Sequence, residues 1–209
     1  MKQYLFFALN LLLALEGTSQ AKGDYMWQIG QNSHPQENPY ALSMVLDFNV
    51  LGINLDTFYR GMKMGYFNAS ISDVDGKLLV YSNGCQIKNG DHSNIPETMS
   101  LSPGETDFEW CLSNPSSGYP KFEGGLFISF FSDSIILLLH QRDYVLSNPT
   151  RIITDSLFYS SVQRDGDQYV LHEKTVPIVG DNLTDGNVEA VKASKPGAWW
   201  VIQGEKNSN

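Results

Sequence analysis

The sequence predicts an all-β protein built from consecutive antiparallel hairpins. Apolar runs of strand length recur along the chain, Gly-containing turns separate them, and no segment after Met64 has the spacing of a helix. The clearest unit is residues 66–89, where two apolar runs flank the turn Asp73-Val74-Asp75-Gly76 and Asn83-Gly84 closes the unit. Asp-Gly readily adopts the positive φ angles of a tight turn, so this stretch predicts a β-hairpin.

The first 21 residues have the pattern of a secretory signal peptide. Lys2 supplies a positive charge, residues 4–15 are almost entirely apolar, and small residues precede a cleavage site after Ala21. The apolar stretch is short for a membrane span, although a buried helix or an uncleaved anchor is the alternative. The sequence therefore predicts a secreted or cell-surface protein, with one domain over residues 22–203 and a polar tail over 204–209.

The charge of the chain narrows the class of partner. Its 209 residues carry a formal net charge of −9, which argues against nucleic acid and anionic membrane surfaces, because both require a basic face. No second apolar run is long enough to span a membrane after signal cleavage. The expected partner is a protein or glycan at the cell surface.

The remaining strands follow the same hairpin pattern, except in residues 51–63, which have no clean period and receive no assignment. Before the central hairpin, two short strands are predicted over residues 24–31 and 41–48. After it, the sequence predicts hairpins over 126–140, with a turn at Ser132-Asp133-Ser134, and over 152–173, with a turn at Asp165-Gly166. A final pair covers residues 188–193 and 198–203.

A long polar interruption separates the central hairpin from the next one. Residues 88–125 are rich in Gly, Pro, Ser and Asn, and a loop of this length inside a domain is usually functional, disordered or tied down. Cys111 lies within it and Cys85 at its entrance. In an oxidising compartment such a pair is expected to form a disulfide, two buried free thiols being the alternative. The bridge would stabilise the fold by roughly 3.5 kcal/mol in the chain-entropy model.

Aromatic residues of this loop are the candidate binding residues. Trp110, Tyr119 and Phe122 are predicted to form an exposed recognition patch; alternatively, they form a small core of the loop around Cys111. Trp199 and Trp200 are also candidates for stacking on a sugar ring. Adjacent strand residues point to opposite faces, so only one of the two tryptophans can belong to a given surface.

No motif predicts a catalytic residue, a metal site or a cofactor. Asp73-x-Asp75-Gly76 resembles the start of a calcium loop, but Gly84 stands where the loop requires Glu, and a tight turn explains the same residues. None of the four histidines has metal-ligand spacing. His140 and His172 end apolar strands, where hydrogen-bonded imidazoles are expected.

Four stretches carry a resemblance to a known family. They are ASISDVDGKLLVYSNGC at 69–85, FISFFSDSIILLLH at 127–140, KTVPIVGDNL at 174–183 and EAVKASKPGAWWVI at 189–202. In this order and spacing they resemble the N-terminal part of a WD-repeat-like β-propeller in secreted and surface proteins of gliding, type IX secreting bacteria of the Bacteroidetes type.

The resemblance implies a partial or small β-propeller with four-stranded blades, truncated relative to the family, while a two-sheet β-sandwich is the alternative architecture. The last strand would then present an exposed edge able to pair with another chain. The function expected is a non-enzymatic binding or structural scaffold at the cell surface. The alternative is a glycan-directed hydrolase or lyase on the same fold.

Overall fold

The computed structural model describes residues 24–30, 43–50, 52–58, 61–113, 118–130, 132–147 and 150–206. The predicted signal peptide lies outside these ranges. Within them the chain is mostly β-strand, and every strand pair is antiparallel, which confirms the predicted all-β class.

Within the described ranges, twelve strands form four sheets in chain order. The first sheet comprises β1 (Met26–Gly30), β2 (Ser43–Asp47) and β3 (Asn54–Phe58), and the second comprises β4 (Ala69–Ser72), β5 (Leu78–Ser82) and β6 (Ile87–Asn89). The third sheet comprises β7 (Gly125–Phe130), β8 (Ile135–Ser147), β9 (Thr150–Asp165) and β10 (Gln168–Leu183). The fourth sheet comprises β11 (Glu189–Lys192) and β12 (Trp199–Ile202).

Neighbouring sheets stack and bury apolar clusters between them. The first and second sheets share a cluster that includes Met64 and Leu78, against which Met26 packs. The largest cluster joins the second and third sheets, and the next joins the third and fourth. Burial of this surface is the dominant favourable term for folding, and no single hairpin could shelter its own apolar face.

The sheets are ordered around their first strands. β1 contacts β4, β4 contacts β7, and β7 contacts β11, so the first strand of each sheet lies beside the first strand of the next. Two polar contacts reinforce the junction of the first two sheets: Ser70 Oγ donates to Met26 O over 2.8 Å, and Asn49 Nδ2 donates to Gly76 O over 2.8 Å. This arrangement differs from the two-sheet sandwich, which has one core between two faces.

The predicted turns are confirmed, and their chemistry is local. In the β4–β5 turn, Asp73 Oδ1 accepts hydrogen bonds from the backbone N–H groups of Asp75 and Lys77, each over 2.9 Å. The carboxylate that resembled a calcium ligand therefore caps its own turn. In the β7–β8 turn, Ser132 and Asp133 both have positive φ, at 53° and 63°, as a two-residue hairpin turn requires.

Several details depart from the sequence-based expectations. The unassigned residues 51–63 contribute β3, and β8 and β9 extend to a hairpin tip beyond His140, the predicted strand end. Only the third sheet has four strands, so the described sheets are not uniform four-stranded units. Residues 204–206 of the predicted tail pair with the end of β10, where Thr184 N–H donates to Gly204 O over 2.8 Å.

The expectation of no helix after Met64 is wrong in the long loop. Helix α1 (Glu105–Asp107) continues into a π-helical turn (Phe108–Leu112), and the pair packs against β8. The segment is too short to be stable alone, since isolated helices of this length do not form in water. Tertiary contacts stabilise it, which explains why its sequence lacks a helical stripe.

Candidate functional site

The long loop is held to the central hairpin by a disulfide. Cys85, in the turn after β5, and Cys111, in the π-helical turn, are bridged with their Cα atoms 5.2 Å apart. Both residues are fully buried in the cluster between the second and third sheets. The predicted pairing is confirmed, and the bridge fixes the middle of the loop onto the core.

Tyr119 anchors the end of this loop. Its side chain is buried in the same cluster as Cys111, and its hydroxyl oxygen accepts a hydrogen bond from Asp143 N–H over 2.8 Å. Burial raises the pKa of the phenol, so the hydroxyl stays protonated. The predicted exposure of Tyr119 is therefore wrong, because its ring fills the loop's own core rather than the surface.

Lys121 forms a second anchor inside the protein. Its buried ammonium contacts Asp143 Oδ1, Thr154 Oγ1 at 2.8 Å and Asp185 Oδ1 at 2.6 Å. Burial raises the pKa of Asp143, an effect that the neighbouring ammonium opposes. The lysine joins the loop to β8, β9 and the turn before β11, so one side chain ties four parts of the chain together.

Three exposed rings stand above these anchors. Tyr66, Trp110 and Phe122, which we call the aromatic patch, are 46 %, 37 % and 68 % exposed. The Tyr66 ring is nearly perpendicular to both partners, with its centroid 6.2 Å from that of Trp110 and 5.0 Å from that of Phe122. Edge-to-face pairs of this kind contribute about 0.5–1.5 kcal/mol beyond burial. The structure thus places two of the three predicted binding residues in one surface cluster.

Each ring of the aromatic patch is adjacent in sequence to a fully buried residue. Tyr66 precedes Phe67, Trp110 precedes Cys111, and Phe122 follows Lys121. The backbone beneath the rings is therefore fixed at three points. Tyr66 was missed by sequence reasoning, although strand alternation into β4 places it opposite Phe67 and gives a usable signal.

The rim of the aromatic patch is acidic. Glu109 and Glu123 adjoin Trp110 and Phe122 in sequence, and both are exposed. The turn before β11 also approaches: a Cβ built on Gly186 would lie 2.7 Å from Phe122 O, and the neighbouring Asp185 carboxylate is largely exposed. Carboxylates accept hydrogen bonds, so the rim favours ligands that carry hydroxyl or ammonium donors.

His140 is part of the core rather than of a site. Its ring nitrogens lie 2.8 Å from Ser102 Oγ and 3.0 Å from Ser160 Oγ, and the residue is fully buried. Burial lowers the pKa of this imidazole to about 3. The predicted hydrogen-bonded strand-end role is confirmed for His140, whereas His172 is exposed.

A cleft of about 480 Å³ lies between the first and second sheets. Its carboxylates are engaged locally: Asp47 Oδ1 accepts from Asn49 N–H over 2.8 Å, and Asp91 Oδ1 accepts from Ser93 Oγ over 2.6 Å, which lowers the pKa of Asp91. Among the residues that the structure describes, no group of three His, Cys, Asp or Glu side chains is placed to hold a metal ion.

Comparisons with protein-family models, curated proteins and solved structures gave no match to this chain. In the described part of the chain, no helix has the length and apolarity needed to cross a membrane. Any functional conclusion therefore depends on the geometry of the site.

Proposed function

We propose that this protein is an exported, non-enzymatic binding module of β-propeller type that binds a cell-surface glycan through the aromatic patch. The observation that carries the proposal is the exposed Tyr66, Trp110 and Phe122 cluster on a backbone anchored by buried neighbours. Rigid exposed rings supply contact area at low entropic cost, because little side-chain freedom is lost on binding. Exposed aromatic rings stack on the apolar faces of sugars, while the rim carboxylates accept hydroxyl hydrogen bonds.

The serial contact of the first strands supports the propeller part of the proposal. In a propeller, successive sheets radiate from a common axis that their innermost strands surround. The order β1, β4, β7 and β11 is compatible with that arrangement. It agrees with the resemblance to surface propellers, on which the cell-surface location also rests.

The acidic residues near the patch support a binding role over hydrolysis. Asp143 and Asp185 both contact the ammonium of Lys121, and Asp143 is buried. A glycosidase needs two carboxylates flanking the scissile bond, with one free to donate a proton to the leaving group. Here the cation occupies the space between the two groups, so the cluster is suited to fixing the loop.

The test is a binding screen of the full chain against a panel of soluble polysaccharides. Binding to at least one is expected, with affinity reduced at least tenfold in Trp110→Ala and Phe122→Ala, as for central aromatic anchors. Tyr144→Ala is the matched control, because Tyr144 is a half-exposed tyrosine on β8 that lies outside the patch.

Failure to bind any polysaccharide, or unchanged affinity in both patch variants, would contradict the proposal and favour a protein partner. Assaying the same mixtures for new reducing ends separates binding from hydrolysis. Release of reducing ends by the wild type would replace the proposal with the hydrolase alternative.

A further inference from the structure

The two ends of the sheet stack differ from its interior. The second and third sheets are covered on both faces, because clusters of buried apolar residues join each to the sheets before and after it. The first and fourth sheets have only one neighbour each in the described part of the chain. Their outer faces therefore show what the chain leaves uncovered.

The outer face of the fourth sheet is apolar. Trp199 packs inward on the third sheet and donates its indole N–H to Ser129 O over 3.1 Å, so Trp200 points outward. Trp200 and its cross-strand partner Val191 are 70 % and 55 % exposed, and Ile202, on the same face, is 55 % exposed. This alternation confirms that the two tryptophans serve different surfaces.

The outer face of the first sheet is apolar as well. Gln28 and Val45 are buried cross-strand partners, which assigns their neighbours Trp27 and Leu46 to the opposite face. Trp27, Leu46 and Leu55 are aligned across the three strands, and Trp27 and Leu55 are 50 % and 52 % exposed. Each end of the stack thus presents a tryptophan flanked by aliphatic side chains.

The charges of the two ends are complementary. The described residues of the first sheet and its flanks, 24–30, 43–50 and 52–58, carry Asp24, Asp47 and Asp56 and no Lys or Arg. The fourth sheet and its flanks, residues 186–206, carry three lysines, Lys192, Lys195 and Lys206, against two glutamates. Such a difference within an acidic chain favours the approach of unlike ends and disfavours like ends.

We propose that the outer face of the fourth sheet binds the outer face of the first sheet in a second copy of this chain. The contact is heterologous, because it joins two different surfaces, and it continues between molecules the stacking that covers the interior sheets. Exposed apolar patches on both faces are typical of association surfaces. The aromatic patch takes no part, so this association stands independently of the proposed function.

The mass of the full chain in solution tests the proposal. Light scattering during gel filtration is expected to give a mass of two or more copies for the wild type. Trp200→Lys and Leu55→Lys are each expected to give a single copy, because each buries a charge in every contact. Ile152→Lys is the control: Ile152 is 65 % exposed near the tip of the β8–β9 hairpin, and the wild-type mass is expected.

Mixing the two monomeric variants distinguishes a heterologous contact from a symmetric one. A copy with Trp200→Lys retains its first-sheet face, and a copy with Leu55→Lys retains its fourth-sheet face, so the mixture is expected to form a dimer. Thermal unfolding of each variant at the wild-type temperature excludes misfolding. A monomeric wild type, an associating Trp200→Lys variant or a mixture that stays monomeric would overturn the proposal.

Discussion

Single residues beneath the aromatic patch are packed with little tolerance. Gly84, between β5 and β6, has φ +80°, and a Cβ built on it would lie 2.7 Å from Tyr119 Cβ and 2.8 Å from the Phe67 ring. Both the backbone conformation and the contact therefore require glycine. Because Phe67 and Tyr119 underlie the patch, the geometry of the exposed rings depends on an atom that is absent.

Gly84→Ala is expected to destabilise the protein by about 2–4 kcal/mol, of which left-handed strain contributes about 1 and overpacking the rest. Gly166→Ala is the matched control, since Gly166 has φ +61° with nothing within 4 Å of a Cβ, and only the strain is expected. Urea unfolding measures both variants. Equal losses of stability would show that the packing beneath Gly84 yields easily.

His140 is expected to make stability depend on pH. Its pKa is lowered to about 3 by burial, against about 6.5 for the unfolded chain, so the unfolded state binds more protons between these values. Stability is lost as the pH falls through this window, by up to about 1.4 kcal/mol per pH unit. In His140→Gln the slope of unfolding free energy against pH is expected to be smaller.

The exposed His172→Gln is the control for this pH experiment and should keep the wild-type slope. Buried Asp107 and Asp143 have raised pKa values and contribute slopes of the opposite sign, but they are common to all three proteins. Comparison between variants therefore isolates His140. Identical slopes in wild type and His140→Gln would contradict the buried neutral imidazole.

At the scale of elements, the long loop behaves as a part of the core with an exposed outer side. The disulfide, the Tyr119 hydroxyl and the Lys121 ammonium attach it at successive points. Its short helical turn then presents Trp110 outward, while Cys111 faces inward. A loop anchored in this way can hold a recognition surface without regular secondary structure of its own.

Removal of the bridge in a Cys85→Ala, Cys111→Ala double variant is expected to cost about 3 kcal/mol, because the unfolded chain regains the entropy of a 26-residue separation. Affinity for a polysaccharide bound by the wild type should fall as well, since Trp110 loses its fixed neighbour. Reduction of the wild type with dithiothreitol should reproduce both effects. Full stability after reduction would show that the tertiary contacts alone hold the loop.

At the scale of the whole molecule, stability is distributed along a stack in which each sheet depends on its neighbours. Both faces of the second and third sheets are covered, whereas the first and fourth sheets each expose one apolar face. Repeated units of this kind gain much of their stability from the interfaces between neighbours. The terminal sheets are therefore the least protected.

Hydrogen exchange of the Trp200→Lys variant is expected to follow this order. Amides of β5, β8 and β9 should exchange most slowly, and those of β1, β3 and β12 most quickly, because local opening exposes less buried surface at the ends. Mass spectrometry of peptic fragments measures the exchange. Uniform protection of all four sheets would indicate a single cooperative core instead of a stack.

Local sequence determined the class and most of the hairpins of this protein. Alternating apolar residues and the turns at Asp73-Val74-Asp75-Gly76 and Ser132-Asp133-Ser134 act over a few neighbours, so their effect is readable without the fold. The same reasoning paired Cys85 with Cys111 and separated Trp199 from Trp200. Strand β3 and helix α1 escaped prediction because long-range packing, rather than local pattern, stabilises them.

The candidate site was decided by tertiary structure. Trp110, Tyr119 and Phe122 are similar side chains in one polar loop, and nothing in their spacing states which of them the core requires. The hydrogen bond from Asp143 N–H buries Tyr119, while the buried neighbours Cys111 and Lys121 leave Trp110 and Phe122 outside, beside Tyr66. Those contacts join residues distant in sequence, so the composition of the exposed cluster exists only in the folded chain.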